Sequence, residues 1–220
     1  VTDAANGDRV MADQIAYYRA RAPEYDETFR GSHDSHLVAA LARIRPSGDV
    51  LELACGTGAW TEALVRHPAR AIHCVDAAPE MLAFHERRIR DERVTRETAD
   101  LFTWTSERRY DLVTFAFWLS HVPPARFEAF WRTVERSVSP GGEVFFVDED
   151  ERGLAFEHPE PDEDYPTVER QLRDGRTMKA IKVYHRASAL RDRLRRLGWE
   201  ATVTAVGERF LWGRAIPPRA

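Results

Sequence analysis

Between residues 50 and 149 the chain alternates short apolar runs with amphipathic stretches, and this alternation limits the fold more than any other feature. "DVLELA", "RAIHCVDA", "VTRETADL", "YDLVTFAFWL" and "EVFFVDE" read as five strands. "AWTEALVRH", "APEMLAFHERRIRD" and "PARFEAFWRTVERSV" read as helices among them. Pro79 sits at the start of the second helix, where a missing N–H costs nothing. Phe127, Phe130, Trp131 and Val134 form the apolar stripe of the third, and "PGG" ends it. Strands that are apolar on both faces and separated by helices must pair in parallel, with the helices as crossovers covering the sheet. The expected architecture is a doubly wound α/β sheet.

The flanks have a different rhythm. "VMADQIAYYRARA", residues 10–22, is a helical stretch stopped by Pro23, and a second covers 33–43, with Leu37, Val38, Leu41 and Ile44 at helical spacing. "RPSGD" breaks it. After 149 comes the acidic, proline-bearing "DEDERGLAFEHPEPDEDYP". Asp174-Gly175 then lies between two stretches of strand character, a hairpin signal. "SALRDRLRRLGW" is a helix with Gly198 just past its end. "EATVTAV" and "RFLWGRAI" close the chain as two strands around Gly207, near enough to pair antiparallel. The 220 residues suit one domain. Its parts are a helical segment 1–45, a core 46–149, an acidic insertion with hairpin 150–185, and a terminal helix and strand pair 186–220.

Composition removes several function classes. A net charge of −4 argues against a nucleic-acid partner, which needs a basic face to neutralise phosphates. No apolar run approaches the ~20 residues that span a membrane. The first residues, "VTDAANGDRVMADQ", have no apolar signal-peptide core, so a cytoplasmic location is expected. Cys55 and Cys74 are the only cysteines, no Cys/His cluster has zinc-ligand spacing, and no metal is expected.

"LELACGTG" follows the first strand of the core, where open parallel sheets bind ligands. Gly56 and Gly58 permit close approach to the backbone and positive φ, and the next helix offers free N–H donors. Glu52 is a carboxylate inside a buried strand, which is costly unless it finds donors. A dinucleotide fingerprint would need a third glycine where Thr61 stands. Asp76 ends the second strand, 24 residues beyond Glu52, where an acidic residue can accept both hydroxyls of a ribose. These requirements point to a nucleoside-type ligand without a pyrophosphate.

Here the chain resembles a known family. "VLELACGTGAWT", "VDAAPEML", "ETADLF" and "YDLVTFAFWLSHVP" are similar to the successive motifs of class I S-adenosylmethionine (SAM)-dependent methyltransferases, over about residues 45–150. The resemblance implies a Rossmann-like seven-stranded, mostly parallel sheet with an antiparallel final hairpin, plus a small inserted lid and hairpin, and SAM as cofactor. Ala54 stands where the family's loop usually has its first glycine. By position, Ala54, Gly56 and Gly58 correspond to the loop beside the methionine part of SAM. Glu52 corresponds to the acidic residue that orients this loop. Asp76 corresponds to the ribose acceptor, Ala77 and Met81 to neighbours of the adenine, Asp100 to the acceptor for the adenine amine, and Leu101 to the side chain packed on its ring. Phe115 and Phe117 are expected near the sulfonium. The N-terminal "YYRARAPEYDETFR" resembles a helix that closes over the cofactor, with Tyr18 and Tyr25 as lid residues and Arg30 as a partner for the cofactor's carboxylate.

Methyl transfer from a sulfonium is an in-line displacement, and a base is needed only when the acceptor must lose a proton. His121, in "FWLSHVPP", is the candidate base, its ordinary pKa being near neutrality. Trp118 is either a substrate wall or core. Asp148 and Asp150 end the fifth strand and either orient an amine or are solvated. The expected acceptor is an oxygen or nitrogen of a small molecule. Carbon or peptide N-terminal methylation, and a cofactor-binding protein without turnover, are the alternatives. The acidic stretch 148–164 either attracts cationic acceptors such as amines or is simply solvated. The hairpin that follows backs this stretch or forms a homodimer contact.

Overall fold

The computed structural model describes residues 2–29, 40, 42–160 and 165–218. Arg30 and most of the second predicted helix lie outside the described residues. Among the described residues, nine strands form two sheets. The larger contains β1 (Asp49–Leu53), β2 (Ala71–Asp76), β3 (Val94–Thr98), β4 (Tyr110–Ala116), β5 (Val138–Glu149), β8 (Glu200–Val206) and β9 (Phe210–Ile216), in the order β3-β2-β1-β4-β5-β9-β8. β1 to β5 pair in parallel, β9 runs antiparallel to β5, and β8 antiparallel to β9. The chain winds outward from β1 to β3, then returns to β4 on β1's other side. The reversal falls between β1 and β4, and the ligand-binding crevice of such sheets lies at that point.

The period of two along the strands accounts for the layers. Val113 and Phe115 of β4, with Val144 and Phe146 of β5, join one core cluster. Leu112 of β4, with Phe145 and Val147 of β5, joins a second cluster on the opposite face. Each cluster is covered by helix. α4 (Phe127–Ser137) buries Phe127, Phe130, Trp131 and Val134, the stripe expected from sequence, with polar residues on its outer side. Trp131 meets Phe115, Phe146 and Trp199 edge-on, with ring centroids 6.0, 5.7 and 5.1 Å away. Each such fully buried aromatic contributes about 1.5–3 kcal/mol through burial.

Helices α1 (Thr2–Arg21), α2 (Thr61–Leu64), α3 (Pro79–Arg88) and α5 (Ala187–Arg196) complete the helical set among the described residues. Two expectations change. The stretch after the glycines becomes a single short helix, α2, followed by turns. "PGG" does not separate α4 from a later strand, because β5 already starts at Val138. Val138 pairs with Tyr110, the register shifts, and regular pairing resumes at Leu112↔Glu143. Pro140 is thus tolerated at an irregularity in the ladder.

The smaller sheet is the expected hairpin, β6 (Thr167–Gln171) and β7 (Thr177–Ile181), turning through Asp174-Gly175. It docks on α1, where Tyr17 packs against Val168, Leu172 and Ala180, and Gln14 Oε1 accepts a hydrogen bond from the Ile181 N–H at 3.1 Å. No helix among the described residues is long and apolar enough to cross a membrane.

Gly213 in β9 faces Phe146 in β5. A Cβ there would lie 2.1 Å from the Phe146 ring, which is itself stacked on Phe115. Gly213→Ala is therefore expected to lower stability by about 1–3 kcal/mol through overpacking. Urea unfolding measures this, and an unchanged midpoint would show that the ring can yield.

Candidate active site

β1 delivers the chain into a turn built on three successive departures from ordinary backbone. Ala54 has φ +52°, Gly56 +54° and Gly58 +87°. Ala54 takes a conformation that favours glycine, at a cost of about 1–2 kcal/mol. The two glycines have different reasons to lack a side chain. A Cβ on Gly56 would meet nothing within 4 Å, so its bare backbone faces open space. A Cβ on Gly58 would press on His85 at 3.0 Å and Ile89 at 3.2 Å, so Gly58 lets α3 approach the turn. Phe117, just past the end of β4, also has positive φ, +55°. Strained residues thus end both strands that flank the switch point, as functional sites often show.

Asp76, at the end of β2, fastens the turn. Its Oδ2 accepts the Gly56 N–H and its Oδ1 the Ala78 N–H, each at 2.8 Å. Burial raises its pKa, and the backbone N–H groups oppose that rise.

A cavity of about 650 Å³, mouth included, opens above the turn. Most of the residues expected from sequence meet there. Ala54, Gly56, Asp76 and Ala77 form its floor, and Met81, Asp100 and Leu101 one side. Tyr18 and Tyr25 close it from α1 and the 3-10 turn Ala22–Phe29, while Phe117, Trp118 and His121 line the β4 end. The Trp118 indole N–H is buried with no partner among the described residues. Sequence reading missed Met11, Gln14 and Ile15 of α1, as well as Phe102, which also line it. Their helical spacing made the α1 residues ordinary core candidates.

Four expected residues lie elsewhere. Phe115 is fully buried, stacked on Phe146 at 5.4 Å, because the strand's alternation turns it into the core and away from the cavity. Gly58 packs under α3. Glu52 does not reach backbone N–H groups. Its Oε2 accepts the Thr61 hydroxyl at 2.6 Å and the Cys74 thiol at 3.7 Å. Asp148 is fully buried and accepts the backbone N–H of Ser120 at 3.1 Å and of Glu149 at 2.7 Å, so it pins the loop carrying His121 and faces neither cavity.

A second cavity lies beyond the first and shares Tyr18, Tyr25, Phe117 and His121 with it. Sequence reading missed it, because its walls come from segments far apart: α1, the end of β5, the acidic stretch, the hairpin and the β8–β9 turn. Among the described residues, four cationic side chains line it, Arg21, Arg170, Lys182 and Arg209, together with two carboxylates, Glu149 and Glu157. Glu149 pairs with Lys182, and Glu157 with Arg170 and the Tyr184 hydroxyl. Nearby, Asp150 pairs with Arg152 and Glu151 with Arg186. Glu149, Asp150, Glu151 and Glu157 of the acidic stretch are thus paired with basic side chains, which weighs against the amine-attracting alternative. Arg209 has no carboxylate partner among the described residues and lies over the rings of Phe156 and Phe210.

His121 stands between the cavities. Its Nδ1–H donates to the Ile181 carbonyl at 2.6 Å, which leaves Nε2 to accept from the Tyr18 hydroxyl at 2.8 Å. Burial, with Lys182 next, holds its pKa well below the usual histidine range. Cys55, Cys74 and His85 also converge, their ligand atoms within 4.8 Å of one another. They come from the turn, β2 and α3, so their spacing gave no sign of it. His85 Nε2 is already bonded to Thr61 Oγ1 at 2.8 Å.

Sheet order, glycine turn, strand-end carboxylate and missing pyrophosphate glycine together define a nucleoside-binding α/β protein with an adjoining second cavity. The family model for a methyltransferase domain matches residues 50–142. The solved structure of DhpI with SAH is 41% identical and superposes with a TM-score of 0.84, covering 96% of this chain and 98% of that one. The DhpI–SAM–HEP complex is 43% identical, with a TM-score of 0.84 and coverage of 94% and 98%. Among curated proteins, Nodulation protein S of Rhizobium tropici is 28% identical over 53% of this chain and 49% of its own length. The Cypemycin N-terminal methyltransferase of Streptomyces sp is 31% identical over 55% and 54%. The chain spans about half the length of these curated relatives. It belongs to the SAM-dependent methyltransferases, and SAM is the cofactor of that family. The open Gly56 backbone and the Asp76 carboxylate on the cavity floor fit such a ligand.

Burial pushes the Glu52 carboxyl up to about 8. A raised carboxyl pKa favours the folded state below the unfolded value of 4.5 and loses that contribution as pH rises through about 8. Stability is therefore expected to fall as pH rises from about 4.5 to about 8, and Glu52→Gln to flatten that fall. Urea unfolding across this range checks it, and equal slopes for the two proteins would contradict it.

Proposed function

We propose that this protein transfers a methyl group from SAM to an oxygen or nitrogen of a small anionic acceptor held in the second cavity. The carrying observation is the pair of cavities that meet at Tyr18, Tyr25, Phe117 and His121, the second with four cationic side chains against two carboxylates. The family resemblance supports the cofactor roles: Ala54 and Gly56 beside the methionine part, Asp76 for the ribose hydroxyls, Met81, Ala77 and Leu101 around the adenine, and Asp100 for its amine. SAM supplies an electrophilic methyl carbon, and the chain's own residues align the nucleophile and exclude water. The complex of the similar DhpI with both SAM and HEP supports a second ligand beside the cofactor.

An oxyanion already carries its nucleophilic lone pair, so no proton has to leave it. His121, neutral and bonded through Nε2 to Tyr18, then orients the Tyr18 hydroxyl at the junction of the cavities. For a protonated acceptor, the same Nε2 is the proton's destination. Peptide N-terminal methylation, the activity in the cypemycin relative's name, would bring an amine to this wall, and the excess of cationic side chains speaks against it.

The test is an acceptor screen with SAM, read by mass spectrometry, using small carboxylates and other oxyacids beside amines and phenols. Methylation of oxyacids is expected. Arg209→Gln is expected to raise the acceptor KM roughly tenfold or more, as loss of a charge-assisted bond does, with SAM affinity unchanged. Turnover confined to amines, with Arg209→Gln silent, would overturn the reading.

A further inference from the structure

Beneath the glycine turn runs a buried chain of hydrogen bonds that methyl transfer itself does not use. Arg96, on β3, donates from Nε to His85 Nδ1 at 2.8 Å, and from its other nitrogen to the Ile89 carbonyl at 2.6 Å. A guanidinium can only donate. His85 Nδ1 must therefore be the acceptor, and the ring proton sits on Nε2. That N–H donates to Thr61 Oγ1 at 2.8 Å. The Thr61 hydroxyl is then free to donate its own proton to Glu52 Oε2, at 2.6 Å. The direction of every bond follows from the arginine at one end.

His85 and Thr61 are both fully buried. The chain crosses β3, α3, the start of α2 and β1, so it holds four elements in one arrangement around the turn. His85 also touches the turn directly, since only the absent side chain of Gly58 leaves room for the ring. Its low pKa, about 4, keeps the ring neutral and the bond pattern fixed near neutrality.

We infer that His85 is a positioning residue for the cofactor turn: by donating to Thr61 it fixes α2 and the 54–58 backbone at the spacing that SAM requires. This rests on the cofactor reading given above. His85 touches no cavity and acts through Thr61. The inference separates the two ring nitrogens, because the Nε2 bond should govern cofactor affinity and the Nδ1 bond should not.

Substitutions that mimic one nitrogen each test it. In His85→Gln the side-chain amide N–H can take the Nε2 place and donate to Thr61. In His85→Asn the amide oxygen can take the Nδ1 place, and Thr61 loses its donor. Thr61→Val removes the hydroxyl without changing shape. Binding of S-adenosylhomocysteine is measured by calorimetry, beside a thermal melt for folding. His85→Asn and Thr61→Val are each expected to weaken binding roughly tenfold, the double variant no more than the worse single one, and His85→Gln to bind within about twofold of the starting protein. A folded His85→Asn with unchanged affinity, or additive losses in the double variant, would overturn the inference alone. If His85→Asn fails to fold, Thr61→Val with unchanged affinity overturns it equally. If the unsubstituted protein does not bind S-adenosylhomocysteine, the cofactor reading falls and the inference with it.

Discussion

The Asp76 carboxylate holds the site together. It is one side chain at the end of one strand, and it accepts the backbone N–H of Gly56 from the β1 turn and of Ala78 from the start of α3. These bonds draw the ends of β1 and β2 against the helix that follows and set the floor of the first cavity. Burial alone would favour the protonated acid, while the N–H donors favour the carboxylate. A ligand that brings two hydroxyl groups would add further donors to a group that burial has left short of them. Replacing the carboxylate by an amide would leave one acceptor oxygen for these two N–H groups.

The sheet makes such an arrangement affordable. Its strands send side chains into two packed clusters, so the backbone directions at the ends of β1, β2 and β4 are held by dense packing. That rigidity lets Ala54 and Phe117 persist at positive φ. The cover formed by α1 and the Ala22–Phe29 turn is fastened by polar contacts. Asp26 accepts from the Thr57 hydroxyl and from Arg88, each at 2.6 Å, and Arg19 forks onto Glu80. Gln14 bonds both the His121 carbonyl and the Ile181 N–H, which couples α1, the hairpin and the loop between the two cavities.

Much of this was legible in the sequence. The parallel core followed from alternating apolar and amphipathic runs, and Asp174-Gly175 and Gly207 marked the two hairpins. Gly56, Asp76, Asp100 and His121 line one cavity because each lies at or after a strand end, which periodicity locates, while the roles expected of them came from the family resemblance. Phe115 and Phe117 differ by two positions and would share a face in a straight strand. β4 ends at Ala116 and the chain turns at Phe117, so one ring enters the core and the other the cavity. Asp148 read as a strand-end group that could orient an amine, but it accepts the backbone N–H of Ser120, 28 residues away along the chain. The acidic stretch could be read either as an electrostatic lure or as solvated, because a sequence does not show pairing. Arg170, Lys182 and Arg186 approach it only through the fold. The second cavity was illegible for the same reason.

The account's central claim is that Asp76 and the turn it fastens form the cofactor site. Calorimetric titration of S-adenosylhomocysteine into the protein and into Asp76→Asn tests it most directly. Binding by the unsubstituted chain and a loss of roughly tenfold or more in Asp76→Asn, with the fold retained, is the predicted result. Equal affinity in the two proteins would contradict it.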